Sequence, residues 1–263
     1  MYDLKITNAR LRGRGDERFA IGIEGKRIAA IAPALDQPAA QQLDAGGNLV
    51  TESFVNGHLH LCKVYTLKRA GQKALEEYQQ DGMSHALDSI RSAAAFKTQY
   101  DRRWIIENVR RACDLAVKHG VTHIRAFADV DSKGKLEGVA AVLQAKQEYA
   151  GKVELQVVAF PQDGLIREPG ALELMDQAMQ MGADVCGGIP WIETTREEEQ
   201  AHIDAVCQLA ARYDRDISML LDDVSDPEER TLEMLCKKVL EIGWQGRVTA
   251  QHCRAMALYP ENY

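Results

Sequence analysis

Apolar and polar positions follow two different rhythms along the chain. Over residues 1–50 short runs alternate with a period of two, in Leu4-Lys5-Ile6-Thr7, Phe19-Ala20-Ile21-Gly22-Ile23 and Arg27-Ile28-Ala29-Ala30-Ile31. Side chains of a strand change face at every residue, so these runs predict strands. Glu24-Gly25-Lys26 between the second and third suits a hairpin turn. Gln37-Pro38-Ala39-Ala40 reads as a loop, and Asn48-Leu49-Val50 as a last short strand after Gly46-Gly47. The expectation for residues 1–52 is a small antiparallel sheet, too thin to bury its own core and so packed on the rest of the chain.

From residue 53 the apolar runs become nearly continuous and alternate with longer amphipathic stretches. Strands are predicted at 53–61, 121–127, 153–160, 185–189, 217–221 and 247–252. Helices are predicted at 74–80, 104–119, 136–149, 171–181, 195–213 and 227–242. Gly120, Gly182 and Gly243 stand at helix C-terminal stops. Apolar strands alternating with helices imply a parallel sheet covered by helices. A β/α barrel and an open doubly wound sheet both fit, although no Gly-x-Gly-x-x-Gly follows the first strand to favour dinucleotide binding. Residues 53–263 form the second predicted domain.

Composition narrows the function classes. The 263 residues carry 32 Lys+Arg against 39 Asp+Glu, a net charge of −7, which argues against a nucleic-acid partner. No apolar run approaches the roughly 20 residues of a membrane span, and the N-terminus lacks the basic-then-apolar order of a secretion signal. Six cysteines are scattered without a Cys-x-x-Cys, as in a reduced, cytoplasmic protein.

The candidate chemistry lies at strand ends. His58 and His60 are two apart, so their imidazoles point to one side and suit a borderline metal ion such as Zn²⁺, or serve as ordinary hydrogen-bonding residues. His252 ends the sixth strand in the same way. Asp222 and Asp223 follow the fifth. Paired carboxylates there suit metal ligation, water activation or proton transfer, and equally suit turn and cap chemistry before the helix predicted at Pro227. Gln162 follows the third strand; its amide suits a polar heterocycle or a turn. Trp191 suits a pocket wall or simple packing. Lys63 and Arg125 suit an anion or a pairing with Asp129. His85, His119, His123 and His202 receive no function.

Four segments together resemble the amidohydrolase superfamily, within it the branch of cytosine deaminase and N-isopropylammelide amidohydrolase-like enzymes. They are Phe54-Val55-Asn56-Gly57-His58-Leu59-His60-Leu61, Val157-Val158-Ala159-Phe160-Pro161-Gln162-Asp163-Gly164, Gly182-Ala183-Asp184-Val185-Cys186-Gly187-Gly188-Ile189-Pro190 and Gly246-Arg247-Val248-Thr249-Ala250-Gln251-His252. Asp3-Leu4-Lys5-Ile6-Thr7-Asn8-Ala9 and Asp44-Ala45-Gly46-Gly47-Asn48-Leu49-Val50 are similar to the family's N-terminal β-sandwich. The resemblance implies an α/β fold: a TIM-type β/α barrel with a small β-sandwich part. It also implies one divalent metal, Zn²⁺ or Fe²⁺, on His58 and His60, and a water that attacks the C–N carbon of a cyclic amidine. Gln162 would read the small nitrogen heterocycle, and His252 would orient the water. An amidase or N-dealkylating variant fits the same pattern.

Two departures accompany the resemblance. Where the family reads His-x-x-Glu on its fifth strand, this chain has Leu220-Leu221-Asp222-Asp223, so either Asp222 or Asp223 is expected as the ligand and Asp223 as the shorter shuttle, or the site is degraded into a ligand-binding or oligomeric relative. Glu52-Ser53 stands where the family has Pro-Gly. The family's last two barrel units, with a further aspartate ligand, have no counterpart. The expectation is therefore an incomplete barrel of about six of eight units, weakly stable, homo-oligomeric or part of a longer product.

Overall fold

A computed structural model describes residues 1–66 and 96–262. The helix predicted at 74–80 and His85 lie outside the described residues. The chain divides into two compact units, Met1–Ser53 and Phe54–Tyr263.

In the first unit, β1 (Tyr2–Leu11), β2 (Phe19–Glu24), β3 (Arg27–Ala32) and β4 (Ala39–Asp44) lie in the order β3-β2-β1-β4, and β5 (Leu49–Val50) pairs with β1. The β2–β3 turn uses Gly25 and Lys26, both at positive φ, as a tight hairpin requires. Two expectations change here. The sheet is mixed rather than antiparallel, because β4 and β5 both run parallel to β1. Ala39 and Ala40 belong to a strand and not to a loop. Five of the six β4 residues are exposed, so β4 has no apolar alternation to read, and backbone pairing with β1 makes it a strand.

The second unit holds six parallel strands in unbroken sequential order: β6 (Phe54–Leu59), β7 (Val121–Asp129), β8 (Glu154–Phe160), β9 (Val185–Gly188), β10 (Asp216–Leu221) and β11 (Val248–His252). The intervening helices are α1 (Arg102–Lys118), α2 (Glu137–Glu148), α3 (Ala171–Gln180), α4 (Arg196–Tyr213) and α5 (Thr231–Ile242). A doubly wound sheet reverses its strand order midway; this one does not, which decides for the barrel type. The sheet also curls. Five strand spacings of a flat sheet are about 24 Å, yet the rings of His58 on β6 and His252 on β11 have centroids 5.1 Å apart. Arg125 on β7 likewise donates to Thr249 Oγ1 on β11 at 2.8 Å. The result is a half-barrel.

Alternation along the strands sorts side chains onto two faces. The outer face, with Ile124, Leu155, Ile217, Met219 and Leu221, packs under the helices in the main core. The inner face carries a smaller cluster of Phe127, Val158, Phe160, Val185, Ile189 and Leu220. Local signals place the helices. Asp101 accepts from the Arg103 N–H at the start of α1, and Thr195 with Glu198 forms a reciprocal capping box on α4. The helix predicted from residue 227 begins instead at Thr231, because the Asp222 carboxylate takes the N–H groups of Thr231 and Leu232. All six cysteines are free. No helix among the described residues is long and apolar enough to cross a membrane.

Candidate active site

The strand ends bring four of the anticipated residues together. His58 and His60 share one side of β6, with ring centroids 5.1 Å apart, and both lean on Phe127 of β7, at 4.3 and 5.2 Å. Phe160, ending β8, meets the His60 ring edge-on at 5.2 Å. His252 approaches His58 from β11, and its Nδ1 lies 2.7 Å from Asp223 Oδ2. Arg254 Nη2 holds the other Asp223 oxygen at 3.0 Å. Burial, with the Lys63 charge, lowers the His60 pKa to about 4; burial, with His252, also lowers that of His58. Both imidazoles are therefore neutral at pH 7, the form that donates a lone pair.

The backbone at the ends of β10 and β11 explains how Asp222 and Asp223 part company. Asp222 has φ +47° and His252 φ +66°, left-handed conformations uncommon for residues with a Cβ. The turn at Asp222 sends its side chain outward, where it is fully buried at the N-terminus of α5. One oxygen accepts from the Thr231 N–H at 2.8 Å and from the Thr231 hydroxyl, and the other from the Leu232 N–H at 3.2 Å and the Tyr259 hydroxyl at 3.3 Å. Both oxygens are thus committed away from the histidines, so Asp222, anticipated as a metal donor, is a helix cap in this structure. Asp223, one residue on, turns back toward His252.

These placements bear on whether a divalent ion fits. The buried Nδ1 atoms of His58 and His60 have no hydrogen-bond partner, as two unused donors would. The inner face of β10 offers no third: Leu220, 3% exposed, packs among Phe127, Phe160 and their neighbours. Among the described residues no group of three His, Cys, Asp or Glu is arranged around a common point that suits an ion. The described residues therefore fit two ligands of an ion and not a complete set.

A buried charge network flanks the histidines. Asp129 ends β7 with its side chain fully buried, and its Oδ1 stands 3.7 Å from His60 Nδ1, too long for a hydrogen bond. Its Oδ2 accepts from Lys63 Nζ at 3.1 Å, and Lys63 Nζ also donates to Gln162 Oε1 at 2.5 Å. Lys97, 2% exposed, lies 2.7 Å from Asp163 Oδ1, 3.0 Å from Asp131 Oδ2 and 3.6 Å from Asp129 Oδ2. Burial disfavours the Lys97 ammonium, but the three carboxylates outweigh it and raise its pKa. Burial likewise opposes the Asp129 charge, and Lys63 and Lys97 reverse that and lower its pKa. Sequence reasoning paired Lys63 with Asp129, but it missed Lys97, which no strand end announces. Arg125, the other candidate for Asp129, bonds Gln156 Oε1 and Thr249 instead.

A second buried pair fixes the loop that carries Gln162. Ile189 N–H donates to His202 Nε2 at 3.0 Å, so the ring proton is on Nδ1, which donates to Glu193 Oε1 at 2.7 Å. The Glu193 carboxylate also accepts the backbone N–H groups of Leu165, Ile166 and Arg167. Burial opposes the Glu193 charge, but these donors lower its pKa to about 2. No local pattern marks His202, because its partners are 9 and 13 residues away. Trp191 packs against the inner cluster, and its buried Nε1 has no hydrogen-bond partner among the described residues. Below the histidines the concave side of the sheet lines an open cleft of ≈ 1170 Å³, bordered by Asn56, His58, Arg125, Gln156, Arg247 and Gln251 among others.

Comparison with known proteins places this geometry in a family. Residues 41–263 match the amidohydrolase family. Over 265 residues the chain is 32% identical to N-isopropylammelide isopropyl amidohydrolase of Pseudomonas sp. (strain ADP), covering 100% of this chain and 64% of that protein. It is 26% identical to pterin deaminase of Rhizobium rhizogenes, covering 89% of this chain and 52% of the relative. The crystal structure of 5-methylcytosine deaminase from Klebsiella pneumoniae liganded with 5-fluorocytosine superposes with a TM-score of 0.82 at 32% identity, covering 98% of this chain and 61% of that one. The chain thus spans less than two thirds of the length of each of these relatives. With its half-barrel, its paired strand-end histidines and a match over most of its length, the chain belongs to the amidohydrolase family.

Proposed function

We propose that this protein hydrolyses a non-peptide C–N bond of a small cyclic amidine: water adds to the ring carbon, the C–N bond breaks and an amine leaves. The observation that carries the reading is the convergence of His58, His60, His252 and Asp223 at the ends of β6, β10 and β11. A divalent ion, Zn²⁺ or Fe²⁺, held through His58 and His60 would lower the pKa of a coordinated water and polarise the ring. The chain's own residues do the rest. Asp223 takes a proton from the attacking water and returns it to the leaving nitrogen, and His252 at Oδ2 with Arg254 at Oδ1 holds that carboxylate in place. Gln162 and Trp191 meet the heterocycle. The similarity to a pterin deaminase and to an isopropyl amidohydrolase supports either ammonia or an alkylamine as the leaving group.

Leu220 favours one second reading, a relative that binds the heterocycle without turnover, because it puts an aliphatic side chain where a third ligand is needed. The test is the purified protein grown with Zn²⁺ or Fe²⁺, assayed for metal content and for ammonia or amine release across a panel of amino-heterocycles. Release that His58→Ala and Asp223→Asn abolish is expected. No release, with less than ~0.2 metal per chain where a filled site holds about one, would leave the second reading standing.

A further inference from the structure

We infer that Arg125 is the centre of a second ligand site, in the cleft beneath the histidines, which takes a small oxoanion, a carboxylate or phosphate. Strand parity puts Arg125 on the inner face of β7 with Phe127. Two residues of strand rise set it about 7 Å below the level at which Phe127 meets His58 and His60. At this lower level the cleft is polar, bordered by Asn56 of β6, Gln156 of β8 and Thr249 of β11. Arg125 spans it, donating from Nε to Gln156 Oε1 at 2.7 Å and from Nη1 to Thr249 Oγ1 at 2.8 Å.

Both of those acceptors are neutral, and among the described residues Arg125 makes no ion pair. Asp129, four residues up the strand, is taken by Lys63 and Lys97. The other charges around the cleft offset one another. Asp184 is held by Lys146 at 2.5 Å, and Asp214 and Asp216 by Arg247 at 2.5 and 2.9 Å. Glu154 and Arg215, also on the border, are exposed and opposite in sign. Arg125 is therefore a half-buried cation whose charge no side chain offsets, and protein walls on either side strengthen its field over the cleft. A guanidinium has five N–H donors, and two are used here. The three left on Nη1 and Nη2 supply the fork that matches two oxygens of one anion. Two amides add to it. Arg125 fixes Gln156 with its oxygen inward to the guanidinium, and Asn56 Oδ1 accepts from the His58 N–H at 3.2 Å, so each has its NH₂ end left as a donor.

Titration calorimetry of the full chain with sodium phosphate and with sodium acetate, against sodium chloride at equal ionic strength, tests this. Saturable binding is expected, and the tighter of the two ions tells whether the site suits a tetrahedral or a planar anion. Arg125→Met should raise Kd by about tenfold or more, the loss of one hydrogen bond to a charged group. Arg125→Lys keeps the charge without the fork and should weaken binding less. Because Arg125 ties three strands together, a second variant leaves it in place. Gln156→Glu has nearly the same shape and sets a carboxylate on Arg125 Nε. It should abolish anion binding and raise the urea midpoint, and phosphate, which raises the wild-type midpoint, should no longer raise that of the variant. Arg215→Gln, on the exposed border, should leave Kd unchanged. The inference is overturned if neither ion binds beyond chloride, or if Arg125→Met and Gln156→Glu keep the wild-type Kd. It is equally overturned if Arg215→Gln weakens binding as much as they do, which would put the anion at the rim. Neither amine release nor metal content enters this test, so its outcome is separate from that of the proposed hydrolysis.

Discussion

Lys97→Met isolates the buried charge network from the rest of the fold. The substitution keeps an unbranched side chain of similar length and removes one charge from a site that is 2% exposed. What remains is Lys63 beside Asp129, and the half-exposed Lys133 with Nζ 3.7 Å from Asp163 Oδ2, against the carboxylates of Asp129, Asp131 and Asp163, whose side chains are 0%, 1% and 15% exposed. Breaking a buried ion pair from one side costs roughly 3–5 kcal/mol, because the remaining charge is left without compensation. Lys63 stays 3.1 Å from Asp129 and still neutralises that carboxylate, so the expected loss is near the lower bound, about 3 kcal/mol. An exposed pair such as Lys237–Glu233, at 74% and 39%, sets the contrast at about 0.5 kcal/mol or less. Urea unfolding followed by circular dichroism reads the difference as a shift in midpoint at constant slope. Asp131→Asn in the Lys97→Met background removes the stranded charge and keeps the Oδ1 that accepts from Lys133 and Gly134 N–H. It is expected to restore about 1 kcal/mol or more, a coupling that distant sites do not show. A loss under about 1 kcal/mol for Lys97→Met, or a double variant no more stable than the single one, would refute the electrostatic account.

Other outcomes rest on the same geometry. Leu220→His places an imidazole on the inner face of β10 with His58 and His60, and Zn²⁺ retained after dialysis should rise toward about one per chain, a gain that His60→Ala in the same background removes. Asp223→Asn keeps the contact with His252 but takes no proton, so amine release should fall about 10²- to 10⁴-fold in kcat with little change in KM. The Glu193 carboxylate has a folded pKa lowered to about 2 from an ordinary 4.5, so its stabilisation is complete above pH 4.5 and lost as pH falls toward 2. Glu193→Gln should therefore destabilise the protein at pH 7 and flatten the acid limb of its stability curve, measured as urea midpoint against pH. An unchanged acid limb would show that the hydrogen bonds from Leu165, Ile166, Arg167 and His202 do not hold that charge.

Much of the second unit was legible because its signals are local. Near-continuous apolar runs bounded by glycine or proline locate β7 through β11 to within two or three residues, and residue parity alone puts His58 and His60 on one side. The rhythm of β4 was illegible, since Ala39–Asp44 is a strand only by virtue of its pairing with β1. Asp222 and Asp223 were indistinguishable as adjacent carboxylates after a strand. The left-handed turn at Asp222, and a helix N-terminus nine residues on, separate a cap from a group beside His252.

By itself, then, the sequence determined the alternation of strands and helices, the parallel sheet and the identity of its strand-end histidines, because each is a matter of period and neighbouring residues. Tertiary structure decided what depends on closure. Only a curled sheet brings His252 of the last strand within 5.1 Å of His58 on the first. Only strand packing turns Leu220 inward where a ligand would stand. And only the meeting of β6, β7 and β8 assembles Lys63, Lys97, Asp129 and Gln162, residues up to 99 positions apart, into one network. Charges that far apart in the chain have no joint pattern for a sequence to display; they become one object when the fold removes the water between them.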